Sequence, residues 1–200
     1  MNQFIDPGNI LYSIPTLCES TPAVDQLPRP GVCRSLHEDD WRQIEFVSLA
    51  NRAHIQKELE SLNSLKQQYR SGPGWTSVYN RREHPTPLAS TGVRFADMPP
   101  LSSSALWLGS GPPWGGLVRG GFALSDSSGW FLYGQRTPDG DIIQLALLYS
   151  ASTMSAAMAK ILSRLCSNSE LILVDWFGAA VVDTSSADTV LKWAMRYQKS

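Results

Sequence analysis

Three histidines and three cysteines carry much of the chemistry available to this chain. His84 stands in a loop beside Glu83 and after Arg81 and Arg82. An imidazole titrates close to neutrality, so His84 is the candidate general base. Asp97, Asp126 and Asp175 are the acids that would have to join it in a dispersed catalytic site. Most acids of the C-terminal half flank turns, where turn chemistry alone accounts for them. Asp175 differs, because Val174, Trp176 and Phe177 surround it with apolar bulk. A carboxyl there must find a partner or shift its pKa. His54 lies early in a helical stretch and reads as a partly exposed surface residue.

The other reactive groups make no recognisable set. Cys33 and His37 are four apart with Cys18 upstream, only part of the four-ligand pattern of structural zinc. No metal or other cofactor is expected. There is no Gly-x-Ser-x-Gly elbow, and Cys166 sits late in a helix on its apolar side, as an inert buried thiol would. The glycines between Gly109 and Gly121 resemble a phosphate loop, but Pro112 and Pro113 lack the N–H groups that would hold an anion. That segment reads as a close-packed connector.

Two features suit binding rather than catalysis. Lys66, Arg70, Arg81, Arg82 and Arg94 form a local basic excess that could meet an anion or an acidic partner. Seven tryptophans are many for 200 residues, and Trp107 and Trp114 fall in an irregular stretch. They either plug the core beneath a long loop or act as rigid anchors on an interface.

The elements that must position these residues are clearest toward the C-terminus. Phe122–Ser125, Trp130–Arg136 and Asp141–Tyr149 read as a three-stranded antiparallel meander with tight turns. A helix capped at Ser152 and running to Cys166 follows. Then come a hairpin around Phe177-Gly178 and a last helix with a capping box at Ser185 and Asp188. Upstream, Ile55, Leu59, Leu62, Leu65 and Tyr69 recur at helical steps. Trp75–Arg82 alternates like a strand. Ser102–Leu108, just after Pro99 and Pro100, reads as a short helix. The alternation over Trp41–Val47 is impure.

Residues 1–35 contain five prolines among several apolar residues. They read as an extended arm packed on its own body or a neighbour's, ahead of a single globular domain at 36–200. The expected class is α+β: a mainly antiparallel sheet with helices packed largely on one face.

Composition limits the function. Lys and Arg total 17 and Asp and Glu total 18, for a net charge of -1, which disfavours a nucleic-acid binder. No stretch reaches the ~18 apolar residues of a membrane span, and no secretory leader is visible. An odd, scattered set of cysteines suits a reducing compartment, so a cytoplasmic protein is expected. The leading expectation is a non-enzymatic domain that binds another protein, such as a small bacterial inhibitor or immunity-type protein. Its binding residues would be Trp107, Trp114, Arg81, Arg82 and Arg94. The alternatives are a small enzyme using the His/Asp set, and a structural protein that self-associates through the arm.

Overall fold

A computed structural model describes residues 11–109, 115–126, 129–149 and 154–196. The N-terminal strands are β1 (Thr16–Cys18), β2 (Val24–Asp25), β3 (Cys33–Leu36) and β4 (Ile44–Ser48). Helix α1 (Arg52–Gln68) leads to β5 (Arg70–Ser71), β6 (Gly74–Trp75) and β7 (Tyr79–Arg81). The middle of the chain supplies β8 (Ser102–Leu108), β9 (Gly116–Val118), β10 (Gly121–Ser125), β11 (Phe131–Arg136) and β12 (Ile142–Leu148). Helix α2 (Ala156–Asn168), β13 (Leu171–Asp175), β14 (Ala180–Val182) and α3 (Ala187–Ala194) close it.

The fold is α+β, with one large and mostly antiparallel sheet. Its path runs β14-β13-β4-β12-β11-β10-β8-β9-β2, with β3 attached to β8. Parallel pairing occurs between β1 and β7 and between β3 and β8. The meander expected from the short turns is β10-β11-β12.

Side-chain alternation divides the core between the two faces of this sheet. Phe46, Leu145, Leu147, Leu132, Leu124, Leu171 and Leu173 point one way and pack with Met158, Leu162, Val190 and Trp193 of α2 and α3. The intervening residues point the other way. Val47, Ile172 and Val174 meet Ile55, Leu59 and Leu62, the apolar stripe of α1. Ala123, Phe131, Tyr133 and Ala146 meet Leu36 and Trp41, with Leu106, Leu108 and Val118 in the same cluster. Thus α2 and α3 share one face, while α1 and the N-terminal segment divide the other. Each fully buried large apolar side chain contributes about 1.5–3 kcal/mol, so both faces hold the sheet.

The described part of the N-terminal segment packs on its own body. β1 pairs with β7, β2 with β9, and β3 with β8. Ser102–Leu108 is a strand rather than the expected helix. It is bonded to β10 through residues 102–104 and to β3 through 105–108, and pairing on this scale overrides a weak local signal. Trp75–Arg82 is two short strands rather than one. The second helix begins at Ala156, with the Ser155 hydroxyl accepting from the Met158 N–H. The cap expected at Ser152 lies outside the described residues. The last helix is capped one residue later than expected, by Ser186 with Thr189. No helix among the described residues is long and apolar enough to cross a membrane.

The meander depends on one close approach. A Cβ at Gly134 of β11 would land on the carbonyl oxygen of Gln144 in β12. Gly134→Ala should therefore cost about 3 kcal/mol or more, since the obstacle is backbone rather than a flexible side chain. Urea unfolding measures this; a wild-type midpoint would show that the strands tolerate the methyl group.

Candidate functional site

The chemistry-bearing residues meet where the two halves of the second face join. Glu45 shares the parity of Val47 in β4, so its side chain enters the side covered by α1 and the N-terminal segment. Its register partner in β12 is Ala146. The carboxylate is only 2% exposed and sits among four donors. Arg42 Nε donates to Oε2 at 2.6 Å. Trp176 Nε1 donates to Oε1 at 2.7 Å, with His84 Nε2 at 2.8 Å and Arg81 Nη1 at 3.4 Å. The His84 ring stacks on the Trp176 indole with an interplanar angle of 7°, and the Arg81 guanidinium lies 4.7 Å from the centre of the same indole.

The node reaches outward through Arg42. Its Nη1 pairs with Glu83 at 2.8 Å and reaches Ser20 in the N-terminal segment, whose hydroxyl also bonds Glu83. Arg42 has a left-handed backbone with φ of 56°. Such a conformation costs a residue with a Cβ roughly 1–2 kcal/mol. Tyr133 and Arg81 hold it there: the Arg42 N–H donates to Tyr133 Oη at 2.8 Å, and Arg81 Nη1 donates to the Arg42 carbonyl at 2.9 Å.

Electrostatics follow from this crowding. Burial opposes ionisation of Glu45, but Arg42, His84 and Arg81 outweigh it and keep the carboxyl well below the usual carboxylate range. Burial likewise works against the Arg42 cation, and Glu45 more than compensates, raising its pKa above the ordinary value. At Arg81 the balance reverses. Burial prevails over the longer contact to Glu45 and lowers its pKa.

The acids proposed to act with His84 do not join it. The Asp97 carboxylate accepts from the Arg94 N–H at 3.0 Å and closes a short 3-10 turn at Phe95–Asp97. Asp126 accepts from Trp130 Nε1 at 3.0 Å. Asp175 accepts from the Gly178 N–H at 2.7 Å and from Trp193 Nε1 at 2.9 Å. With Glu45 and Trp176, that makes three carboxylates that receive an indole N–H.

The proposed binding residues also separate. Arg81 and Trp107 are each 1% exposed, so neither offers a partner its side chain. Trp107 belongs to β8 and packs so closely on Gly115 that a Cβ there would collide with its indole nitrogen. Arg82 is exposed. Arg94 is tied to the Asp139 carbonyl at 2.7 Å and to the Asp141 carboxylate at 3.3 Å. Trp114 lies outside the described residues. Among the described residues, no group of three or more His, Cys, Asp or Glu is placed to hold a metal ion, and all three cysteines are free thiols. Cys166 is buried, and burial pushes its thiol up to about 11.

Two concavities take in candidate residues, Asp97 in one and His84 in the other. One, of about 220 Å³, lies between β4 and β12 beneath residues 83–88, with Glu45 and His84 in its wall. The other, of about 660 Å³, is a groove between α2 and residues 91–101, lined by Val93, Pro99, Leu101, Ile161 and Leu165, with Asp97 and Arg164 also in its lining. Compared with protein-family models, curated proteins and solved structures, the chain finds no significant match.

The sequence expected His84 to be special but missed Glu45, because one Glu in an impure strand pattern carries no sign of burial. The Glu45 node has a pH signature. Its folded pKa lies below the unfolded value of roughly 4.3, so its stabilisation is present above that pH and is lost as pH falls through the folded value. Glu45→Gln should cost about 3–5 kcal/mol at pH 7 by leaving Arg42 and Arg81 under-compensated. It should also flatten the loss of stability on acidification. Urea titrations at pH 7 and across pH 3–5 check both; an unchanged acid slope would contradict the assignment.

Proposed function

We propose that this protein is a binding domain for another polypeptide, and that the groove between α2 and residues 91–101 is where the partner lies. The observation that carries the reading is the groove itself. Its volume of about 660 Å³ falls within the range of binding clefts, and its lining joins apolar side chains to one charge of each sign. Apolar floor with a polar rim is the usual anatomy of a protein interface. Asp97 is engaged in its own turn, which suits an anchoring role better than proton transfer. An inhibitor or immunity-type protein that masks a partner's active site is one form of this reading, because such a protein needs only a shaped surface. Three free thiols agree with work in the reducing cytoplasm.

The test is site-specific photocrosslinking in cells. A photoreactive residue at Ile161, partly exposed in the groove, should give a discrete adduct. One at Gln56, exposed on α1 at the other side of the sheet, should not. Arg164→Glu should lower the adduct yield about tenfold, the effect of losing one good interface contact. No adduct at Ile161, or the same adduct from Gln56, would overturn the proposal.

A further inference from the structure

The small cavity beside Glu45 has a chemical character fixed by its walls. Glu45 is held as a carboxylate by two guanidinium groups, and an ionised carboxylate only accepts hydrogen bonds. The proton in the 2.8 Å contact must therefore belong to His84 Nε2. In the neutral ring this leaves Nδ1 with a lone pair, as an acceptor. His84 Nδ1 is buried and has no partner, and neither does Gln144 Oε1. Both residues line the cavity, and the His84 side chain is only 10% exposed. A buried acceptor left unbonded is destabilising, so the site favours an occupant that brings donors.

Size and charge narrow that occupant. A water takes up about 30 Å³, a small part of the 220 Å³ present. Phe46, Leu88, Ile143 and Leu145 supply apolar wall. Arg42 and Arg81 are balanced by Glu45 and Glu83, so a net charge entering would find no counter-charge. The cavity opens where β4 and β12 part, since the two strands share only the Ala146–Glu45 register pair. Stacking on Trp176 fixes the His84 ring, so the acceptor is pre-oriented.

We propose that the cavity between β4, β12 and residues 83–88 is a binding site for a neutral O–H or N–H donor carried on a small apolar ring, the chemistry of a phenol or an indole, received by His84 Nδ1. This chemistry is shared by free aromatic metabolites and by tyrosine or tryptophan side chains of another protein. The site is separate from the α2 groove, and the fate of either proposal leaves the other standing.

The test uses the full chain, labelled with nitrogen-15 in its histidine rings and followed by NMR. Phenol and indole should shift the His84 Nδ1 resonance saturably, with a Kd on the order of millimolar or tighter. Toluene, which has the ring without the donor, should bind at least about tenfold more weakly. N-acetyltyrosinamide and N-acetyltryptophanamide separate the two sources: binding as tight as the free rings identifies a side-chain pocket, and exclusion of both identifies a small-molecule pocket. Ile143→Trp, at an exposed position on the cavity wall, should fill the cavity and abolish the shift while leaving the remaining spectrum folded. No saturable shift with phenol or indole would overturn the proposal. So would equal binding of toluene, tighter binding of methylammonium or acetate, or an undiminished shift in the Ile143→Trp variant.

Discussion

A buried carboxylate is the constraint on which much of this structure depends. Glu45 cannot be ionised inside a protein without donors around it, and it draws them from across the chain. Arg42 comes from the residues just before β4, Arg81 from β7, His84 from the loop that follows, and Trp176 from the end of β13. Ser20 and Glu83 extend the network to the N-terminal segment. The sheet places Glu45 at a position that both coverings of its second face reach. Replacing such a cluster with apolar residues can be neutral for stability. A segment shifted in register would leave a buried charge unpaired, and breaking such a pair costs about 3–5 kcal/mol.

The same logic explains the aromatic content. Six of the seven tryptophans are described, and all six are buried. Three give their indole N–H to Glu45, Asp126 and Asp175. These acids are accounted for as acceptors for large rings, so two candidates for catalysis and one unnoticed residue have structural duties. Ile161 and Arg164, by contrast, line the groove between α2 and segment 91–101.

Local patterns made part of this legible. Ile55, Leu59 and Leu62 at helical spacing, and apolar runs joined by Pro and Gly turns, are short-range signals that do not depend on distant contacts. They located α1, the β10-β11-β12 meander, α2 and the closing hairpin and helix. What failed was non-local. Ser102–Leu108 has weak strand character, and its identity comes from β3 and β10 beside it. Arg81 read as part of a basic surface, but the partners that turn it inward lie 36 and 39 residues away. Glu45 gave no signal, since the meaning of a lone acid in a strand depends on what covers that face. His84, singled out as a candidate general base, has Glu45 as its partner, a residue 39 positions upstream.

Hydrogen exchange at the Trp176 indole N–H tests the central claim most directly. This proton lies in the 2.7 Å bond to Glu45, at the point where four chain segments converge. If the node opens only when the whole molecule unfolds, the exchange free energy of this proton should equal the unfolding free energy from urea titration of the same protein. Exchange orders of magnitude faster, with a free energy well below the global value, would show that the node opens locally and would contradict the account.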